Sequence, residues 1–550
     1  MGKSFFLILL KTLKMKMKQL KFTVILLIFF GFKLQSQIHI IPQPLEVSIE
    51  EGFFILNDDV KIISTKETKD EAKILCSILK KGFDKKAKIS KKGNGIKLYI
   101  NQDLEKNLGK EGYKLSSKNN QIVIEGASKA GLFYGIQSFK QLLPSDFGKE
   151  NYKNKNIDFP IVEISDKPRF SWRSFMLDES RHFKGMEAVK NLLDEMAVLK
   201  MNVFHWHLVD DQGWRIEIKK YPNLTKIGSY RKDTQAKRKS PERVGFSHEG
   251  FYTQKQIKEI IKYAEERHIK IIPEIEMPGH ATAAIASYPW LGILGTTTEV
   301  TQEFGKLPDS YNVSDPKVVQ FLKDVLTEVF ELFPENVVHI GGDEVNFKTW
   351  ENSKMIQDKI KKEGLSSPAD LQIYFTNEIS NFMEDNNHRM MGWNEILGDN
   401  VHKEHENSNM EVKQKLSDNA IIHFWKGSLD LVNKAVTSGH EVVNSLHSMT
   451  YLDYTYKSIP LSKAYSFDPI PEGLDEKYHD KILGSGCQMW SEWIPTVEKM
   501  NNQVFPRLAA YAEVGWTSKE NKNYDNFVIG LKKMQNRWKM IGINFHESLE

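Results

Sequence analysis

Residues Thr253–His280 read TQKQIKEIIKYAEERHIKIIPEIEMPGH, and this stretch decides the fold. The spacing predicts an amphipathic helix over Thr253–Arg267, started by Thr253 and Gln256 in capping-box register. A short apolar run, Ile269–Ile275, follows as a strand, and at its exit stand Glu274, Glu276 and His280. The same order of strand, polar or aromatic cluster and helix recurs about eight times from Asp166 onward. The other apolar runs are Ser174–Leu177, Val203–Val209, Val337–Ile340, Arg389–Trp393, Ala420–Trp425, Glu441–Leu446 and Gly486–Trp490. Helices over Met186–Lys200 and Lys317–Phe333 lie between them, the second behind Ser314-Asp-Pro316 as a start signal. Continuous apolar strands alternating with helices require a parallel sheet covered on both faces. About eight units, with no Gly-x-Gly-x-x-Gly after the first strand, favour an α/β fold of the (β/α)8 TIM-barrel type over an open sheet.

Upstream, residues 37–165 read as a small α+β domain. Val60–Ile63 and Ile96–Ile100 have strand character, and Lys69–Lys81 carries Ala72, Leu75, Ile78 and Leu79 at helical spacing. Gly112–Leu115 and Ile122–Gly126 read as a hairpin that feeds a helix over Ala127–Leu143, ended by Pro144. The barrel is expected over 166–550, with Tyr524–Met540 as a closing helix. Residues 1–36 are a different material: five lysines and no acid over Lys11–Lys21, then the apolar run Phe22–Phe32. That pattern predicts a signal peptide and an exported protein, periplasmic or extracellular. The apolar run falls short of the ~20 residues that a spanning helix needs, so no membrane span is expected once it is removed.

Composition narrows the chemistry. The 550 residues are 40% hydrophobic, 27% charged and 11% aromatic, a globular profile. Lys plus Arg is 76 against 72 Asp plus Glu, and a net charge of +4 gives no reason to expect nucleic acid as the partner. Two cysteines, Cys76 and Cys487, exclude a disulfide framework and any Cys-based metal centre. The chemistry therefore falls to carboxylates, histidines and aromatics, and in a barrel these act from the carboxyl ends of strands.

Those ends are rich in such groups: Asp178 and Arg181, His207 and Asp210, Glu274, Glu276 and His280, Asp343 and Glu344, Trp393 and Glu395, Trp425, Tyr451 and Asp453, Trp490 and Glu492. In His339-Ile-Gly-Gly-Asp-Glu-Val345 the two glycines allow a turn that aims adjacent carboxylates at one ligand. Side by side, one of the two is expected to stay protonated and serve as an acid. His205-Trp-His207 reads either as a metal pair or as two buried, stacking histidines; the helical His-Glu-x-x-His spacing is absent, which favours the second and a site without metal. Trp393, Trp425 and Trp490 suit the C–H face of a sugar or an acetamido methyl, while Asp453, Glu492 and Arg181 suit its hydroxyls. The set describes a neutral polyhydroxyl ligand. Arg231–Arg243, with Lys232, Lys237, Arg238 and Lys239, is a basic loop that reads as solvated or as a contact for an anionic substituent, and Val401–Lys415 is a charged insertion.

Taken in order, these motifs resemble the β-N-acetylhexosaminidases of glycoside hydrolase family 20. The resemblance rests on Gly126-Ala-Ser-x-Ala-Gly-Leu-Phe-Tyr-Gly-Ile-Gln-Ser138 and Gln141-Leu-Leu-Pro144 in the first domain. In the second it rests on Met176-Leu-Asp-x-Ser-Arg-His-Phe183, Asp210-Asp-Gln-Gly-Trp-Arg215, Pro273-Glu-x-x-Met-Pro-Gly-His280, His339-Ile-Gly-Gly-Asp-Glu344, Gly392-Trp393, Tyr451-Leu-Asp453 and Trp490-x-Glu492. It implies an exo-acting, retaining hydrolase of terminal β-linked GlcNAc or GalNAc that needs no cofactor and uses the substrate's own acetamido oxygen as nucleophile. It implies Glu344 as general acid/base, Asp343 and Tyr451 as partners of the acetamido group, and Asp210 with His280 as a relay to Glu344. Trp393, Trp425 and Trp490 would enclose the acetamido group, and Arg181, Asp453 and Glu492 would bind hydroxyls. Many members carry a further tryptophan after Asp453, where this chain offers Tyr454, Tyr456, Tyr465 and Phe467. Two other readings stay open from the residues alone: a glycan-binding protein without turnover, and a metal hydrolase using His205, His207 and Asp210.

Overall fold

The computed structural model describes residues 38–549 apart from 119–120, 151, 153, 400 and 403–409, so the expected signal peptide lies outside the described residues. No described helix is long and apolar enough to cross a membrane.

The first domain is one seven-stranded sheet. Its strands are β1 (Glu46–Asn57), β2 (Lys61–Ile63), β3 (Lys88–Ser90), β4 (Ile96–Ile100), β5 (Tyr113–Lys118), β6 (Gln121–Gly126) and β7 (Asn156–Asp166), in the order β1-β7-β5-β6-β4-β2-β3. The expected hairpin is the antiparallel pair β5–β6. Helix Lys69–Phe83 buries Ala72, Leu75 and Leu79, and helix Lys129–Leu142, capped by the Ser128 hydroxyl, is buried along most of its length. The sequence reading does not anticipate the pair β1–β7, because β1 carries three glutamates, leaves Phe53 and Ile55 exposed and buries only Leu56 fully, so its alternation is weak.

The second domain is a closed barrel. Its strands are β8 (Trp172–Asp178) and β9 (Val203–His207), then, after two small hairpins β10 (Val209–Asp210) with β11 (Gly213–Trp214) and β12 (Tyr230–Arg231) with β13 (His248–Glu249), β14 (Lys270–Glu274), β15 (Val337–His339), β16 (Arg389–Trp393), β17 (Ile421–Phe424), β18 (Glu441–Asn444) and β19 (Ile482–Met489). Strands β8, β9 and β14–β19 close on one another, and every pairing is parallel. Each of the eight predicted apolar runs contributes to one barrel strand. Helix Gln254–Glu265 has the predicted capping box, and Asp315 caps the helix Pro316–Leu332. The expected alternation weakens once: between β16 and β17 the described residues hold only the 3-10 turn Asn394–Leu397.

Asp166, at the end of β7, joins the domains. It is fully buried and accepts from Lys200 Nζ at 2.9 Å, Trp516 Nε1 at 2.9 Å and Tyr113 Oη at 2.6 Å. A second tie runs from Arg173 on β8 to Glu111 at 2.6 Å. Buried charge of this kind is tolerated because each partner neutralises and hydrogen-bonds the other.

Candidate active site

The carboxyl ends of the barrel strands bring the predicted acids together, beginning where β15 stops at His339. Gly341 and Gly342 turn the chain with φ of +67° and +90°, and Glu344 itself sits in the left-handed region at +52°. A side chain costs about 1–3 kcal/mol in such a conformation, so the surrounding structure has to hold it there. The consequence is the one the glycine pair predicted. Asp343 Oδ2 and Glu344 Oε2 face a single imidazole nitrogen, His280 Nε2, at 3.8 and 3.7 Å. His280 also holds a positive φ of +47°.

Behind it, His280 Nδ1 lies 3.0 Å from Asp211 Oδ2 and 3.3 Å from Asp210 Oδ1. The family resemblance implies Asp210 as the partner, yet Asp211 makes the closer contact and is itself fixed by Thr282 N and Oγ1. Asp210 is turned toward Arg181 and His207, at 2.7 and 2.9 Å. Arg181 is therefore not free for sugar hydroxyls alone: it donates to Gln212 Oε1 at 3.0 Å, pairs with Asp178 at 3.4 Å and lies 5.1 Å from the Trp490 ring centre.

Below the acids, Glu274 is the hub of the barrel interior. Its carboxylate meets His205, His207 and His339 at 2.9, 2.6 and 3.0 Å and accepts from Trp393 Nε1 at 2.8 Å. His205 lies 4.6 Å from His339, ring centre to ring centre, and Trp393 stacks on His423 at 4.2 Å. Three groups of donors come close enough to hold an ion: His205 with Glu274 and His339, His207 with Asp210 and Glu276, and Asp210 with Asp211 and His280. In the first two, Trp393 already donates to one oxygen of Glu274 and Arg181 pairs with Asp210.

Four aromatic side chains form a closed ring beside the acids. Trp393 and Trp425 are 6.5 Å apart, and the remaining steps, Trp425 to Tyr451, Tyr451 to Trp490 and Trp490 to Trp393, are each 6.0 Å. Two walls are anchored by acids, Trp393 by Glu274 and Trp425 by Glu395, whose Oε2 accepts from the indole at 2.9 Å. The box is apolar on its faces, and its polar atoms lie at its edges. Among the described residues, Asp343 Oδ1 and Asp453 Oδ1 are buried and meet no hydrogen-bond donor. Buried groups of this kind are costly unless something pairs with them, and here they border one small enclosure.

The electrostatics sort the acids. Burial, reinforced by Glu395 and Glu344, pushes Asp343 from 3.8 up to about 8, against the pull of His280. The carboxyl of the pair that burial raises is thus Asp343, the deeper member, whereas the resemblance gives the acid's work to its neighbour. Burial also raises Asp453, helped by Glu492, and raises Glu492, helped by Asp178. Glu276, which no donor reaches, is pushed well above the carboxylate range by burial and by Asp343. Against burial, Arg181 and His280 hold Asp210 well below that range, and His280 is driven far up by Asp210 and Asp211. The site is a set of fixed charges surrounding carboxyls that resist ionising.

Asp210, His280, Arg181, Asp343, Glu344 and the four aromatics meet here, and Asp453 and Glu492 act electrostatically on Tyr451 and Arg181. Sequence reasoning left five others without a role. Glu274 and Glu276 were visible as alternate acids at a strand end, Asp211 as the neighbour of Asp210, and Glu395 as the acid after Trp393. Lys306 gave no signal: it arrives on a long loop and places Nζ 3.1 Å from Glu344 Oε1. A cavity of about 720 Å³ between the domains, lined by Gln137, Lys140, Glu195 and Arg537 among others, contains none of the strand-end acids.

The family model described as glycosyl hydrolase family 20, catalytic domain, matches residues 170–519, and that described as domain 2 of the same family matches residues 37–167. A beta-hexosaminidase of Porphyromonas gingivalis is 36% identical over 524 residues, covering 92% of this chain and 64% of its own length. One of Vibrio furnissii is 34% identical, covering 74% of this chain and 65% of its own length. The chain thus spans a little under two thirds of the length of these relatives. Among solved structures, the GH20 exo beta-N-acetylglucosaminidase of Vibrio harveyi in complex with N-acetylglucosamine is similar with a TM-score of 0.80 at 30% identity, covering 92% of this chain and 78% of that one. The beta-N-acetylhexosaminidase of Bacteroides fragilis gives 0.76 at 29%, with 93% and 97% covered.

Proposed function

Because the chain belongs to glycosyl hydrolase family 20, we propose that it is an exported, exo-acting, retaining β-N-acetylhexosaminidase that removes terminal GlcNAc or GalNAc from glycans with the help of the substrate's own acetamido group. The observation that carries this reading is the pairing of Asp343 and Glu344 at the rim of the four-sided aromatic box. An acetamido methyl fills the space between Trp393, Trp425 and Trp490, and the amide N–H then meets the unpartnered Asp343 Oδ1.

In the first step the acetamido oxygen attacks the anomeric carbon as the glycosidic C–O bond breaks, and Glu344 gives its proton to the leaving oxygen. The cyclic oxazolinium so formed carries positive charge near its nitrogen, which an ionised Asp343 stabilises. Tyr451 holds the acetamido oxygen in line. In the second step water attacks the same carbon, Glu344 takes a proton from it, and the ring opens with the original configuration restored. His280, fixed by Asp211 and Asp210, stands beside both carboxyls and compensates their changing charge. Arg181, Glu492 and Asp453 bind the outer hydroxyls, which selects a non-reducing terminal sugar. Enclosure by the aromatic walls holds the nucleophile in position and excludes competing water.

The first test is turnover of aryl β-GlcNAc and β-GalNAc glycosides beside an aryl β-glucoside. The proposal expects cleavage of the first two only and no loss of activity to a chelator. Cleavage of the glucoside alone, or chelator-sensitive turnover, would overturn it.

A further inference from the structure

The reaction just described makes no use of two lysines at the mouth of the site. Glu344 Oε2 faces inward to His280, while Oε1 meets Lys306 Nζ at 3.1 Å. Lys306 therefore stands on the outer side of the carboxyl that serves the leaving oxygen. Lys306 and Lys426 each approach His402 Nδ1 to 3.0 Å, so the two ammonium groups flank one imidazole. His402 Nε2 lies 2.7 Å from Glu395, which also holds Trp425, and Lys426 Nζ is 5.2 Å from the Trp425 ring centre. Lys306 is thus tied to the acid that serves the leaving oxygen, and Lys426, through the shared His402, lies next to it against Trp425. Among the described residues, Lys426 pairs with no carboxylate.

The basic loop seen in the sequence reaches the same region. Gln235 N donates to Gln302 O, and Arg243 pairs with Glu303 at 2.8 Å, so the loop braces the segment that carries Lys306. From the loop, Arg238 acts electrostatically on Tyr454, whose ring lies 5.8 Å from that of Tyr451.

We propose that Lys306 and Lys426 form a specificity-determining subsite for an anionic group, the carboxylate of a uronic acid or a sulfate ester, on the sugar that leaves. The inference rests on the hydrolase reading above. A neutral leaving sugar offers the Lys306 ammonium nothing in exchange for its contact with Glu344. An anionic one supplies a new partner at the same place, and Lys426 adds a second attraction without giving up an ion pair. Each is a partly exposed contact, and together such contacts amount to roughly a five- to tenfold preference, weakened by salt.

The experiment compares three disaccharides in which GlcNAc is β-linked through the same hydroxyl to glucose, glucuronic acid or glucose 6-sulfate. At low salt, kcat/KM for at least one anionic substrate should exceed that for the neutral one by about five- to tenfold, and the ratio should shrink toward unity in about 0.5 M sodium chloride. Preference for the uronide alone identifies the carboxylate, and preference for the other identifies the sulfate. The double substitution Lys306→Met with Lys426→Met should bring the ratio to about unity, and Lys426→Glu alone should lower it. Equal turnover of all three by the unmodified protein, or a ratio that the double substitution leaves intact, would overturn the subsite while sparing the hydrolase. Inactivity toward all three and toward aryl β-GlcNAc would instead overturn the hydrolase reading.

Discussion

Gly341 passes so close to Glu276 that a β-carbon on the glycine would fall 1.7 Å from the Glu276 Oε2 atom. The glycine also holds φ of +67°, so two independent constraints forbid a side chain at the turn that aims Asp343 and Glu344. Gly341→Ala should destabilise the fold by about 1–3 kcal/mol and depress kcat more than KM, because the carboxyls move while the sugar contacts remain. Thermal unfolding and steady-state kinetics on an aryl β-GlcNAc check this; an alanine variant with unaltered kcat would break the link between the turn and the acid pair.

The two acids are assigned different work, and the leaving group separates them. Glu344→Gln removes the proton donor and should lower kcat/KM by about 10²–10⁴ on a substrate with a poor leaving group. On a dinitrophenyl glycoside, which needs no proton, bond cleavage should be largely spared. Asp343→Asn removes the partner of the oxazolinium nitrogen and should be equally damaging with both substrates. Identical leaving-group dependence in the two variants would remove the assignment.

Asp343 also sets a pH signature in stability. Its folded value, raised by burial from 3.8 to about 8, lies above its unfolded one, so the fold favours the protonated form. That contribution is whole below about pH 3.8 and is lost as the pH climbs through 8. Asp343→Asn escapes the loss. The Tm of the variant minus that of the unmodified protein should grow steadily from pH 4 to pH 8; a difference that is flat, or that shrinks, contradicts the buried environment of this acid.

At the domain junction, Asp166→Ala leaves the fully buried Lys200 ammonium without its carboxylate. Breaking a buried pair from one side costs about 3–5 kcal/mol, far more than a surface pair. Denaturant unfolding should show that loss, whereas Asp166→Asn, whose single carbonyl oxygen keeps an acceptor for either Trp516 or Tyr113, should lose less.

Much of this is legible in the sequence. The barrel strands advertise themselves because a strand covered on both faces is a short apolar run, and the eight runs align with the eight strands. The turn His339–Glu344 was legible because the adjacent Gly341 and Gly342, both at positive φ, mark it. The four-sided box was legible in part, since Trp393, Trp425 and Trp490 stand at strand ends. What stayed hidden has a common physical cause. The closer contact of His280 with Asp211 depends on side-chain directions in adjacent residues of one loop. Lys306 reaches Glu344 from a loop whose path no periodicity encodes. Strand β1 buries little, so burial left no pattern in it.

The central claim is that the acetamido oxygen of the substrate is the nucleophile, held by Tyr451 and enclosed by Trp393, Trp425 and Trp490. Its most direct measurement is kcat along a series of aryl β-GlcNAc glycosides whose N-acetyl methyl carries zero, one, two or three fluorines. Each fluorine weakens the carbonyl oxygen as a nucleophile while scarcely changing its size. The account predicts a steep fall in kcat with every fluorine added. A rate indifferent to fluorination would contradict it and would require the nucleophile to come from the protein or from water.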